Sequence, residues 1–265
     1  MEEECDAVDI NLGCPQKIAR KGNYGAFLLS QQQIILDIIR NLNENLKIPV
    51  TCKIRCLKTE EETLDLCMKI EQAGCSMLTV HGRTKEHNKR LIGPTNWKII
   101  KTIKETLSIP VIANGGIRSL ADFNKCLEYT GCDGVMTSEA ILENPAFFDP
   151  SWPHIEKVMH EYVELWEKYN ENFGICKGHL YKSLYSGFKK HPEVREKFDG
   201  LRDLASFKGI VNELAELRKN EDPKSKIEWY HRHWKEHEEE LAYTEMAYDE
   251  FIAMMDERTR IIKLK

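Results

Sequence analysis

The chain has 265 residues, of which 42% are hydrophobic and 31% charged, so it holds enough apolar side chain for a buried core, which argues against a disordered chain. Its net charge of −5 gives no sign of a uniformly basic nucleic-acid binder. Nine cysteines, odd in number and scattered, with no signal-peptide pattern or long uncharged apolar run, argue against a disulfide scaffold and predict a reducing, soluble compartment.

The first apolar run, Ala7 to Leu12, reads as a strand that ends in the Gly/Pro turn Asn11-Leu-Gly-Cys14-Pro15. On residue type alone Cys14 is open between a packing thiol, a metal ligand and an acid. Ile34, Ile35, Ile38, Ile39 and Leu42 form one apolar stripe at helical spacing. Pro49-Val50 then opens a second strand, Val50 to Ile54. Within it, "TCKIRC" places Cys52 and Cys56 on one face and Lys53 and Arg55 on the other. No second Cys/His pair of ligand spacing follows, so zinc is not expected there.

Thr59 with Glu62 makes a capping box for a helix that Gly74 closes. A third strand, Met77 to Val80, leads into His81-Gly-Arg83, and Trp97, Ile100, Ile103 and Leu107 form the next helical stripe. Pro110-Val111 opens a fourth strand, Val111 to Ala113, ending in Asn114-Gly-Gly116. Ser119 caps a helix that stops at Gly131, and a fifth strand, Gly134 to Met136, ends in Thr137-Ser-Glu139.

Pro145, Pro150 and Pro153 break this alternation. The reading is an α/β domain over residues 1–150, an all-α domain over 151–220 and a charged tail, helical or partly disordered, over 221–265. Val158, Tyr162, Leu165, Trp166 and Tyr169 form one helical stripe of the second domain, and Leu180, Leu184 and Phe188 another. Gly174 to Lys208 carries eight Lys/Arg against four Asp/Glu, whereas Glu221 to Lys265 carries eight against twelve, so a basic patch precedes an acidic tail. Lys182, Lys189 and Lys190 in that patch are read either as a solvated helix face or as contacts to a polyanion. Tyr181, Tyr185 and Phe188 read as helix packing.

A βα repeat predicts a parallel sheet with helices outside it, and such folds place their sites at the carboxyl ends of the strands. All five predicted strands deliver polar groups to that rim. The fold class read from the residues is therefore a parallel βα repeat of about five units followed by a small helical domain.

"DINLGCPQKIARKGNYGAFLL", "VTCKIR", "LTVHGRTKE", "VIANGGIRSLADF" and "DGVMTSEAILENPAFF", in this order, resemble the tRNA-dihydrouridine synthases. They most resemble the eukaryotic branch that modifies positions 16 and 17 of the tRNA D-loop. The resemblance implies a TIM-barrel-type fold, incomplete here because a closed barrel needs eight strands and the family's first three βα units have no counterpart. It also implies an FMN at the barrel mouth, reduced by NADPH or NADH, that passes hydride to C6 of a uracil. It makes Cys14 the general acid that protonates C5. It implies cofactor contacts from Lys53, His81, Asn114, Gly115, Gly116, Ser138 and Glu139, the last two through their backbone N–H groups where many bacterial relatives have Gly-Arg. Asn11, Arg55 and Arg83, with Lys182, Lys189 and Lys190, are the implied substrate contacts.

The expected partner is tRNA, without membrane or metal, and the expected state is a monomer in the cytoplasm, with the nucleus as a second location. Two alternatives stand beside this reading. One is a free-pyrimidine flavoenzyme of the dihydroorotate dehydrogenase kind. The other is a non-catalytic RNA-binding chain that lacks the first barrel units.

Overall fold

The structure, a computed structural model, describes residues 2–87 and 93–222 and divides into two compact units, the first ending at Thr137 and the second starting at Ser138. The division falls ahead of the proline-rich segment where composition changes. The expected charged tail from Pro223 onward lies outside the described residues.

The first unit runs β1 (Val8–Leu12), α1 (Lys17–Gly22), a 3-10 turn (Gly25–Ser30), α2 (Gln32–Asn45), β2 (Val50–Cys56), α3 (Glu60–Gln72), β3 (Met77–Thr84), α4 (Trp97–Thr106), β4 (Val111–Asn114), α5 (Leu120–Thr130) and β5 (Gly134–Met136). Its five strands are all parallel and lie in the order β1-β2-β3-β4-β5. Each strand neighbours its predecessor and successor in sequence. A doubly wound sheet would reverse its order at a switch point, so this is the wall of a βα barrel, as the resemblance implies.

Local signals act where the sequence puts them. The Thr59–Glu62 capping box opens α3, Ser119 with Asp122 opens α5, and Gly131 ends α5 in the left-handed conformation. β2 is buried along almost its whole length, as a central strand covered on both faces should be. The stripe expected on α2 is corrected. Ile35, Leu36 and Ile39 are buried, whereas Ile34 and Ile38 are exposed and, with Asp37, Asn41 and Leu42, line a shallow groove. Five apolar residues make a stripe wider than the strip of helix that the sheet can cover.

The second unit is helical: α6 (Glu139–Glu143), α7 (Ile155–Tyr169), α8 (Phe173–Ser183), α9 (Tyr185–Lys190), α10 (Pro192–Gly200) and α11 (Leu204–Arg218). Its core gathers Met159, Val163, Trp166, Leu180, Phe188, Phe198, Phe207 and Leu214. Of the stripe expected on α7, Trp166 is buried and Val158 and Tyr162 partly so, but Leu165 and Tyr169 are exposed. Met159 and Val163 take the inner positions. Leu180, Leu184 and Phe188 are buried as predicted, although the helix breaks at Leu184. Tyr181 packs on Phe188 and Phe198, and Arg195 lies over its ring. Across this core, Arg218 donates to the buried Glu156 and to Glu221.

Candidate active site at the carboxyl ends of the strands

Strand register builds the site. Asn11 pairs with Lys53 across β1 and β2, and Arg55, His81 and Asn114 form a continuous row across β2, β3 and β4. Side chains alternate along a strand, so Asn11, Lys53, Arg55, His81 and Asn114 share one face. Leu12, Ile54, Val80 and Ala113 take the opposite, helix-covered face and are all buried. A polar row ending on the same rim is what a site needs, and the apolar row behind it keeps the strands in place.

The turn that carries Cys14 is tethered on both sides. Asn11 Oδ1 accepts from the Gly13 N–H at 3.0 Å, and the Cys14 carbonyl accepts from the Ala26 N–H at 3.1 Å. Gly25 makes this approach possible: it sits at φ +62°, and a Cβ there would lie 2.8 Å from the Cys14 carbonyl oxygen. Cys14 itself is half-buried and free. With Oδ1 engaged in the turn, what Asn11 offers a ligand is chiefly its amide donor.

Arg55 is buried. Its Nε donates to the Gly13 carbonyl at 2.9 Å, and its Nη1 to the carbonyls of Thr84 at 2.9 Å and His87 at 3.1 Å. Arg83 is likewise buried, with Nε donating to the Gly93 carbonyl at 2.8 Å and Nη1 lying 3.3 Å from His81 Nε2. A guanidinium can only donate, so Nε2 of His81 accepts and its proton sits on Nδ1. Burial, then the neighbouring Arg55, Arg83 and Lys53, hold His81 well below the usual histidine range, so the ring is neutral. Burial and the like charge of Arg55 also bring Lys53 down to about 8, against a small opposing pull from Asp9.

Asn114 donates from Nδ2 to the Met136 carbonyl at 2.8 Å, tying β4 to β5. Gly115 and Gly116 follow at φ +104° and +76°. A Cβ on Gly115 would stand 2.7 Å from the His81 ring, and Trp97 holds this turn by donating to the Gly115 carbonyl. Beside it, the buried Thr95 Oγ1 has no hydrogen-bond partner among the described residues. Sequence reading missed Thr95 and Gly25. Thr95 looks like an ordinary turn residue in "GPTNW", and only the glycine of "NYGAF" offered a signal.

Ser138 and Glu139 are exposed at the start of the second unit, as are Lys189 and Lys190, and Lys182 is half-buried there. Lys190 pairs with Glu221 at 2.9 Å. Among the described residues there is no cluster of three or more His, Cys, Asp or Glu that could hold a metal, and no helix long and apolar enough to cross a membrane.

The dihydrouridine synthase (Dus) family profile matches residues 1–242. The chain is 38% identical over 221 residues to a Rattus norvegicus protein named tRNA-dihydrouridine(16/17) synthase [NAD(P)(+)]-like, an alignment covering 83% of this chain and 50% of the relative. It is 38% identical over 232 residues to the Schizosaccharomyces pombe tRNA-dihydrouridine(16/17) synthase [NAD(P)(+)], covering 81% and 57%. A human tRNA-dihydrouridine(20a/20b) synthase [NAD(P)+]-like protein is 42% identical over 146 residues, covering 54% and 45%. The chain thus spans about half the length of the curated relatives it matches. With a profile match over nearly its whole length, a βα sheet of barrel type and Cys14 on its polar rim, the chain belongs to the dihydrouridine synthase family.

Proposed function

We propose that the chain serves the reduction of uridine to 5,6-dihydrouridine in tRNA, in the D-loop at positions 16 and 17, with Cys14 as the proton donor to C5. The observation that carries the reading is the tethered, half-buried Cys14 thiol at the end of β1, its turn held by Arg55 and flanked by Lys53. A thiol is protonated at neutral pH yet acidic enough to give up its proton, which suits a carbon acid–base step. Positions 16 and 17 follow the names of the relatives aligned over most of this chain.

The residues present fit a flavin mononucleotide. The unpartnered Thr95 hydroxyl offers a donor and the positive-φ pair Gly115–Gly116 backbone room for a phosphate, and Lys53 offers a cation for an anionic ring. When bound, the flavin supplies the hydride for C6, and NADPH or NADH, in keeping with the relatives' names, supplies the flavin's electrons. Below about pH 8 the Lys53 ammonium is charged and stabilises negative charge in the site. His81, neutral and with Nε2 engaged by Arg83, presents the Nδ1–H as a donor. Asn11 offers its amide donor to the uracil edge.

A uracil must leave its stack to reach Cys14, so the polynucleotide has to be held elsewhere. We assign that hold to the basic helical unit, through Lys182, Lys189 and Lys190, and its strength to phosphate contacts. We place the chain in a reducing compartment, the cytoplasm with the nucleus as a second location, on the odd number and scattered positions of its cysteines.

The test is reduction of unmodified tRNA by the purified chain supplied with FMN and NADPH. Cys14→Ala should retain the visible flavin spectrum and lose dihydrouridine formation. Unchanged turnover in that variant removes Cys14 from the chemistry. Turnover of free uracil or orotate without any on tRNA points instead to a free-pyrimidine flavoenzyme.

A further inference from the structure

The arrangement around Arg55 makes it more than one cation among several. Arg55 sits at the carboxyl end of β2, between β1 and β3, and its two donor nitrogens reach carbonyls on both sides. On one side it holds Gly13; on the other it holds Thr84 and His87. The register of β2 against β3 shifts between Arg55 and Cys56, so that Cys56 pairs with Thr84 although Arg55 pairs with His81. This irregularity lets β3 carry the Thr84 carbonyl to the guanidinium.

The Gly13 carbonyl belongs to the peptide plane that precedes Cys14. The Cys14 carbonyl, which belongs to the plane that follows, is held by the Ala26 N–H. Both planes flanking Cys14 are therefore fixed, one by Arg55 and one by the 3-10 turn. With both planes held, the direction of the Cys14 Cα–Cβ bond is set, and χ1 is the freedom that remains.

We propose that Arg55 is a positioning residue that clamps the Cys14 turn to the Thr84–His87 segment, so that these two stretches of backbone move as one unit and aim the thiol. The inference rests on the proposed role of Cys14 as proton donor, but its physical content does not need the reaction. A lysine keeps the charge and loses the clamp, because a single ammonium cannot reproduce a planar fork reaching carbonyls on both neighbouring strands. A role limited to contacting substrate predicts no change in the free chain when Arg55 is replaced.

The experiment is amide hydrogen exchange in the free chain, with Arg55→Lys against wild type. Two reporters lie on opposite sides of the clamp: the Ala26 amide, bonded to the Cys14 carbonyl, and the His87 amide, bonded to the Thr84 carbonyl. Both should exchange about tenfold faster or more in Arg55→Lys, since hydrogen bonds from a charged donor are lost on each side. The Leu78 amide, bonded to the Pro110 carbonyl at the far end of β3, should keep its rate and so report that the sheet stays folded.

The rate at which iodoacetamide alkylates Cys14 at its high-pH plateau, where thiolate fraction no longer matters, should also change. If Ala26 and His87 keep wild-type exchange and Cys14 its plateau rate, the clamp is refuted. If the variant does not fold, the urea dependence of exchange in wild type decides. Ala26 and His87 should then open with one common slope and midpoint, and separate openings refute the coupling. Failure of the reaction reading appears elsewhere, as tRNA reduction that survives Cys14→Ala.

Discussion

Replacing Lys53 by methionine is expected to stabilise the sheet unit at neutral pH. Burial and the adjacent Arg55 bring this lysine from 10.5 to about 8 in the folded chain. At 1.36 kcal/mol per pKa unit, holding it charged in the folded state costs on the order of 3 kcal/mol. The unfolded chain binds more protons than the folded one between about pH 8 and the ordinary lysine value, so wild-type stability rises with pH across that window. Below about pH 8 the penalty is present in full.

Methionine keeps the unbranched stem and removes the charge. Lys53→Met should therefore be more stable than wild type by about 2–3 kcal/mol at pH 7, and the gap should shrink by about 2 kcal/mol by about pH 9.5. The assay is urea-dependent hydrogen exchange of β2 and β3 amides at both pH values, which reads the sheet separately from the helical unit. Titrating groups that Lys53 does not perturb, such as Cys56, pushed up to about 12 by burial, are common to both chains and cancel in the difference. A gap that does not change with pH, or a variant less stable than wild type at pH 7, would refute the electrostatic reasoning.

Gly25→Ala should cost about 1–3 kcal/mol and weaken protection of the Ala26 amide, because a Cβ at a positive φ would press on the Cys14 carbonyl. Gly131→Ala, at a similar φ with nothing within 4 Å, is the control, and equal costs would remove the contact from the account. Arg218→Met should cost about 3–5 kcal/mol by leaving Glu156 buried and unpaired, and Glu156→Leu added to it should recover part of that loss in a urea titration of the helical unit. Ile39→Ala should cost about 2–4 kcal/mol in urea denaturation and Ile38→Ala well under half as much, which checks which edge of the α2 stripe faces the sheet.

Strands, caps and the rim were legible in the sequence because each depends on neighbours along the chain. Thr59 and Glu62 are three residues apart and cap each other wherever the helix lies. Alternation in "TCKIRC" alone puts Lys53 and Arg55 on one face, and a repeat of strand and helix alone implies a parallel sheet. What each polar residue of the rim does with its donors was not legible.

Arg55 binds a carbonyl 42 residues before it and another 29 after it, and Arg83 turns inward to Gly93 and His81. Every residue type carries a carbonyl, so nothing in the letters marks Gly13, Thr84 or His87 as acceptors. Nor do they show that Thr95 keeps a buried hydroxyl without a partner, or that Ile35 rather than Ile34 meets the sheet. Residue type and spacing decided which groups reach the rim of this protein. Only the tertiary fold, by bringing distant backbone within hydrogen-bonding reach, decided which of them stay open to a ligand and which are spent holding Cys14 in place.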